Sequence, residues 1–192
     1  MINILFDTLP DTVPVDGRDY FIITDFREWI KFHEMHSDSD LTDMEKVMLS
    51  MEWYENDVPE NIVSAITALG NFLAAYDLYQ EGKLDDARDI TKPQAFSFKQ
   101  DAGDIYSAFR QYYGIDLQKV KYMHWYEFRS LFDNLPGDCE IRQKMYYRTL
   151  DAGKIKDKKE RKRVREIQEK IRIIDRKKPR YVDDYDIGDV FG

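Results

Sequence analysis

The stretch DLQKVKYMHWYEFRSLFDNLPG, residues 116–137, decides the fold. Val120, Met123, His124, Phe128, Leu131 and Leu135 recur in it at three- and four-residue intervals, with Glu127 on the same stripe. That is the spacing of one helix face rather than of a strand. Asp116 is placed to start this helix, and Pro136-Gly137 ends it.

The pattern repeats on both sides. Asp101 is a candidate cap for a helix bearing Ile105, Ala108, Phe109 and Tyr112, closed by Gly114. Asp138 is placed to cap a short helix with Ile141, Met145 and Tyr146. Nearer the N-terminus, Thr24 or Asp25 caps a helix with Phe26, Trp29, Ile30 and His33 on one face. Thr42 and Glu45 form a capping box ahead of the stripe Met44, Val47, Met48 and Met51. Such a stripe reads first as core, and second as an adaptable apolar groove. Asp57 followed by Pro59 reads as the start of a helix through Ile62, Val63, Ile66, Leu69, Leu73 and Tyr76, stopping near Glu81-Gly82. Lys83 to Ala95, polar and containing Pro93, reads as a linker or lid.

Only the first 23 residues carry strand signals. Asp16-Gly17 is a hairpin-turn dipeptide between apolar runs, and Ile2–Phe6 is a candidate third strand. The predicted fold is mainly α: a compact multi-helix domain with a small N-terminal β-hairpin and a charged C-terminal helix.

Composition bounds the function. The 192 residues, 43% hydrophobic and 14% aromatic, suffice for one packed domain. No apolar run approaches the roughly 18 residues that span a bilayer, and the N-terminus lacks the basic-then-apolar layout of a signal peptide. The single cysteine, Cys139, rules out an internal disulfide and fits a reducing cytoplasm. The net charge of -8 divides unevenly. Residues 1–153 hold 15 Lys/Arg and 28 Asp/Glu, an acidic helical body that includes the hairpin at 1–23. Residues 154–180 hold 14 Lys/Arg and 5 Asp/Glu on a basic amphipathic helix, predicted over Asp157–Lys177. Residues 181–192 add four aspartates and no base, an acidic tail.

On the basic helix Val164, Ile167, Ile171 and Ile174 are spaced three, four and three residues apart, the a/d seam of two heptads. The seam either docks on the body or faces a partner. In the second case it forms, with Arg161 and Arg165, the expected partner-binding surface. The basic run is also a candidate phosphate binder. The acidic body and tail would repel a polyanion, and the helix has no aromatic side chains for base stacking.

Catalytic patterns are missing. His33-Glu34-Met35-His36 is one residue short of the zinc-binding His-Glu-x-x-His motif. The nine glycines form no phosphate loop, no Gly-x-Ser-x-Gly elbow occurs, and the tail aspartates lack the order of a calcium loop. The sequence therefore predicts no enzyme, no cofactor and no metal.

Two segments resemble a known family. One is Asp16-Gly17-Arg18-Asp19-Tyr20 followed by Ile22-Ile23-Thr24-Asp25-Phe26-Arg27-Glu28-Trp29. The other is Ala108-Phe109-Arg110-Gln111-Tyr112-Tyr113-Gly114-Ile115-Asp116-Leu117, then Met123-His124-Trp125-Tyr126-Glu127-Phe128, ending at Leu135-Pro136. Both are similar to segments of a siphophage tail-module family, encoded beside the tape measure in temperate phages of Gram-positive bacteria. The resemblance implies a tail assembly chaperone in the cytoplasm of the bacterial host. Its partners would be the tape-measure protein, the tail-tube subunit and further copies through the C-terminal helix, with no membrane and with nucleic acid disfavoured. A structural tail or connector component is the alternative, and a nucleic-acid-binding regulator stands behind both.

Overall fold

A computed structural model describes residues 2–78 and 94–174. Among them, strands β1 (Thr12–Val15) and β2 (Arg18–Phe21) precede seven α-helices. These are α1 (Phe26–His36), α2 (Asp43–Ser50), α3 (Ile62–Leu73), α4 (Ala102–Ala108), α5 (Trp125–Asp133), α6 (Glu140–Thr149) and α7 (Lys158–Ile171). The predicted mainly α domain with an N-terminal hairpin is what the chain forms.

The hairpin is antiparallel, with Val13 opposite Tyr20 and Val15 opposite Arg18. Its turn places Asp16 and Gly17 at φ 50° and 84°, the pair of left-handed residues that a tight two-residue hairpin needs. Val13 and Val15 are buried and β1 packs on α3, so the small sheet is stabilised by a helix rather than by itself. Residues 2–6 do not join it. The Asn3 side chain accepts from Leu5 N, and Asp7 accepts from Asn3 N. These contacts fold the segment into a turn and use up a donor that a third strand would offer.

Helices α1 and α5 begin side by side. Phe26 N donates to Met123 O, and Trp125 N donates to Thr24 O. Asp25 caps α1, accepting from Arg27 N at 2.9 Å. His124 caps α5: its Nδ1 accepts from Tyr126 N at 3.0 Å, while Nε2 lies 2.9 Å from the Pro10 carbonyl. An acceptor at Nδ1 and a carbonyl at Nε2 assign the neutral ring with its proton on Nε2.

Between these helix starts and α6 lies an aromatic core. Trp29, Trp125, Tyr126, Phe109, Phe128 and Phe132 are all under 2% exposed. The Phe128 ring stacks on Phe26 at 4.9 Å and on Phe109 at 5.1 Å. Trp29 and Trp125 bury their indole N–H groups against the Ile23 and Leu73 carbonyls.

Several predicted boundaries move, each for a local reason. Helix α5 starts at Trp125 rather than Asp116, so Val120, Met123 and His124 precede it. Asp116 nucleates only a turn, because Arg27 takes the Leu117 and Val120 carbonyls at 2.9 and 2.5 Å. A continuing helix would turn those two carbonyls along its own axis, away from the Arg27 guanidinium. Helix α3 is capped by Asn61, which accepts from Ser64 N, instead of starting at Asp57-Pro59; Asp57 pairs with Arg18. It stops at Leu73, whose carbonyl receives Trp125 and Arg129. The predicted stop at Glu81-Gly82 and most of the predicted linker lie outside the described residues. Cys139, not Asp138, occupies the cap position of α6. Asp101 stands at the start of α4, but its carboxylate turns to Ser97 N and Arg148. Gly114 does adopt φ +68° after Tyr113, where the helix has widened into a π turn.

The Thr42–Glu45 capping box is present in both directions: Thr42 Oγ1 accepts from Glu45 N, and Glu45 accepts from Thr42 N. Thr42→Ala should cost about 1 kcal/mol, read as a lower urea midpoint.

Three histidines titrate below their ordinary value. Burial holds His124 down against the opposing pull of the Pro10 carbonyl and Asp11. Burial first, then Arg129 and His36, lowers His33; burial and then Lys46 lowers His36. Below a pH of about 6.5 the unfolded chain therefore takes up protons that the folded rings resist, and stability falls with pH. Urea midpoints at about pH 7.5 and about pH 5.5 should show this loss. His124→Asn, which keeps a capping oxygen, should reduce it.

Candidate protein-interaction surface

The sequence leaves the C-terminal helix either docked on the body or open as a contact surface. Asp157 caps it, accepting from Glu160 N at 2.7 Å. Helix α7 lies on α6 and on the short turn Ala152–Lys154. Val164 is only 2% exposed, and Ile167 and Ile171 are half-buried. Gln168, one turn after Val164 on the inner face, donates to the Tyr147 and Leu150 carbonyls at 2.9 and 2.7 Å.

The far end of α7 is clamped too. Arg148 Nε donates to the Ile171 carbonyl at 2.7 Å, taking an acceptor at the helix C-terminus. The Gln100 side chain exchanges two bonds with Ile174, at 2.7 and 2.9 Å. The helix ends at Ile171 rather than Lys177, which lies outside the described residues together with the acidic tail.

The seam thus divides. Val164 is spent on the body, Ile167 and Ile171 partly so, and Ile174 remains 48% exposed beyond the helix. Arg161 is half-buried, reaching the Lys156 carbonyl, whereas Arg165 is exposed. Gln168 was the readable sign of docking: a long amide on a seam face suits a surface with free carbonyls.

The most exposed apolar groups lie elsewhere. Met44 and Met48, one turn apart on α2, are 71% and 65% exposed, so the core reading of this stripe is corrected and only Met51 packs inward. A helix of eight residues ending in a tight turn can turn only one face inward, and Ser50 and Trp53 occupy it. Val63 in the first turn of α3 is 78% exposed, as are Leu5 and Phe6 on the N-terminal turn, at 79% and 84%. The body around these groups is acidic.

His33 and His36 do not converge on a metal site: His36 Nε2 meets Ser50 Oγ at 2.9 Å, and His33 lies edge-on to Phe98. Among the described residues no group of three or more His, Cys, Asp or Glu is arranged to hold a metal ion. Among the same residues no helix is long and apolar enough to cross a membrane.

No curated protein and no solved structure gives a significant match. A family model described as Bacteriophage Gp15 protein matches residues 5–173, from the N-terminal turn through the end of α7. With its hairpin, its aromatic core and its docked basic helix all inside that match, the chain belongs to the bacteriophage Gp15 protein family.

Proposed function

We propose that this chain is a tail assembly chaperone: a non-catalytic, cytoplasmic protein that binds the tape-measure protein and keeps it soluble during tail morphogenesis. The observation that carries the reading is the methionine pair on α2. Met44 and Met48 stand in solvent on an acidic body, where flexible, polarizable side chains can fit many apolar helix faces in turn. A long helical client of varied sequence requires such tolerance, and the surrounding carboxylates keep the complex soluble. Membership of a bacteriophage family and the two motif segments that resemble tail-module proteins support the same role.

Co-expression with the tape-measure protein of the same phage tests it. The client should become soluble and co-purify, and Met44→Asp with Met48→Asp should abolish this while leaving the circular dichroism of the chain unchanged. Purified virions should lack the protein. A client that stays insoluble, together with this chain in mature particles, would favour the structural role instead.

A further inference from the structure

We propose that the outward basic face of α7 docks on the acidic hairpin edge of a second copy of this chain, joining copies head to tail.

The donor face is defined by what α7 leaves unused. Val164 and Gln168 face the body, so Lys158, Lys159, Lys162 and Lys170 project outward, with Arg165 at the margin. Among the described residues Lys158, Lys159, Arg165 and Lys170 have no ion-pair partner. Lys162 and Arg163 meet, among the described residues, glutamates of their own helix at 3.8 and 3.5 Å. Two lysines in the first turn also oppose the helix dipole, which favours negative charge at that end. The Asp157 cap and Glu160 offset this in part; a carboxylate surface from outside would offset it fully.

The chain carries that surface. Residues 11–23 and 52–61 are stitched together by the Ile22–Tyr54 bridge, by Glu55 N donating to Phe21 O and by Ile23 N donating to Trp53 O. They present seven exposed carboxylates, Asp11, Asp16, Asp19, Glu52, Glu55, Asp57 and Glu60, against Arg18 alone. A cleft of about 420 Å³ lies between the two segments, and Tyr20, Val58, Asp16, Asp57 and Glu60 are among the residues that line it. Its own Arg18 shows how a cation is received there: the guanidinium lies 4.8 Å from the Tyr20 ring centre and pairs with Asp57 at 2.5 Å. Lysine stems would lie along the Tyr20 ring in the same way, with their ammonium groups among the remaining carboxylates.

The acceptor packs on α3 and the donor on α6, so donor and acceptor are different surfaces of one molecule. A contact between unlike surfaces does not use itself up in a dimer, and each copy keeps one free end. A nucleic acid fits the donor face less well, because Glu160, Glu166 and Glu169 interrupt the basic run and the body is acidic.

Sedimentation velocity of the full chain alone, without any client, tests this separately from the chaperone reading. At low ionic strength the mass should rise with concentration, and the association should be lost in about 1 M salt, where the Debye length is about 3 Å. Lys158→Glu/Lys159→Glu/Lys162→Glu should be monomeric, and so should Asp57→Lys/Glu60→Lys. Mixing the two variants should restore one contact and give dimers with nothing larger. Should a reversal variant lose its native circular dichroism, the triple Lys→Gln change reads the same loss. A chain monomeric at low salt, variants that associate like the parent, a mixture that stays monomeric, or retardation of duplex DNA by the parent but not by the lysine variant would each overturn the proposal.

Discussion

Phe128→Ala should lower the stability of this protein by about 3–5 kcal/mol, a large share of the 5–15 kcal/mol that holds an ordinary domain together. Phe128 is fully buried, and its stacked ring neighbours come from three segments of the chain. It stacks on Phe26 of α1 at 4.9 Å, on Phe109 after α4 at 5.1 Å, and on Trp125 and Phe132 of its own helix at 5.6 and 6.0 Å. All four ring pairs lie within 15° of parallel, so the neighbours cannot rotate into the space without losing contacts with one another. The cavity term therefore adds to the transfer term. Urea denaturation followed by circular dichroism measures the loss. Phe6→Ala is the matched control: the same deletion at a side chain 84% exposed should move the midpoint by no more than about 0.5 kcal/mol. Equal effects at the two positions would mean that the aromatic cluster is not the centre of the fold.

That cluster was legible because it follows from periodicity. Phe26, Trp29, Phe109 and Phe128 each fall on an apolar stripe, and burial is what such stripes are for. The capping box and the Asp16-Gly17 turn were equally legible, since each satisfies its backbone within four residues. What sequence could not show was competition from far along the chain. Arg27 and Leu117 are ninety residues apart, yet their bond decides that Asp116 starts a turn and not a helix. Met44 and Met48 are spaced like core residues, and only the arrangement of Ser50 and Trp53 on the inner face leaves them in solvent. The seam on α7 leaves two uses open in sequence; Gln168 hints at docking, but the Arg148 clamp on the far end of the helix is marked by nothing in its neighbourhood.

Arg148→Met should cost about 3–5 kcal/mol at neutral pH, because it strands a buried charge. Arg148 and Asp101 are 7% and 2% exposed in their side chains, joined by two bonds of 2.6 and 2.9 Å. The same guanidinium also reaches the Ala95 carbonyl at 3.1 Å and the Ile171 carbonyl at 2.7 Å. One planar group thus ties the approach to α4, the body of α6 and the end of α7. Burial works against a charged Asp101, but the bonds from Arg148 and from Ser97 N outweigh it and hold the carboxyl below the usual range. In the parent its contribution is complete above a pH of about 4 and fades as pH falls through the lowered native value. The variant reverses that sign. Without Arg148, burial raises the Asp101 value, the native state binds the extra proton, and the deficit against the parent should shrink as pH falls from about 7 to about 4. Arg148→Met with Asp101→Leu should recover most of the loss at neutral pH, since a buried ion pair replaced by apolar groups is often near neutral. Hydrogen exchange separates the clamp from the core: in Arg148→Met the amides of α7 should exchange well before those of α5. Protection lost equally in both helices would mean that α7 is an integral layer of the domain rather than a separately held arm.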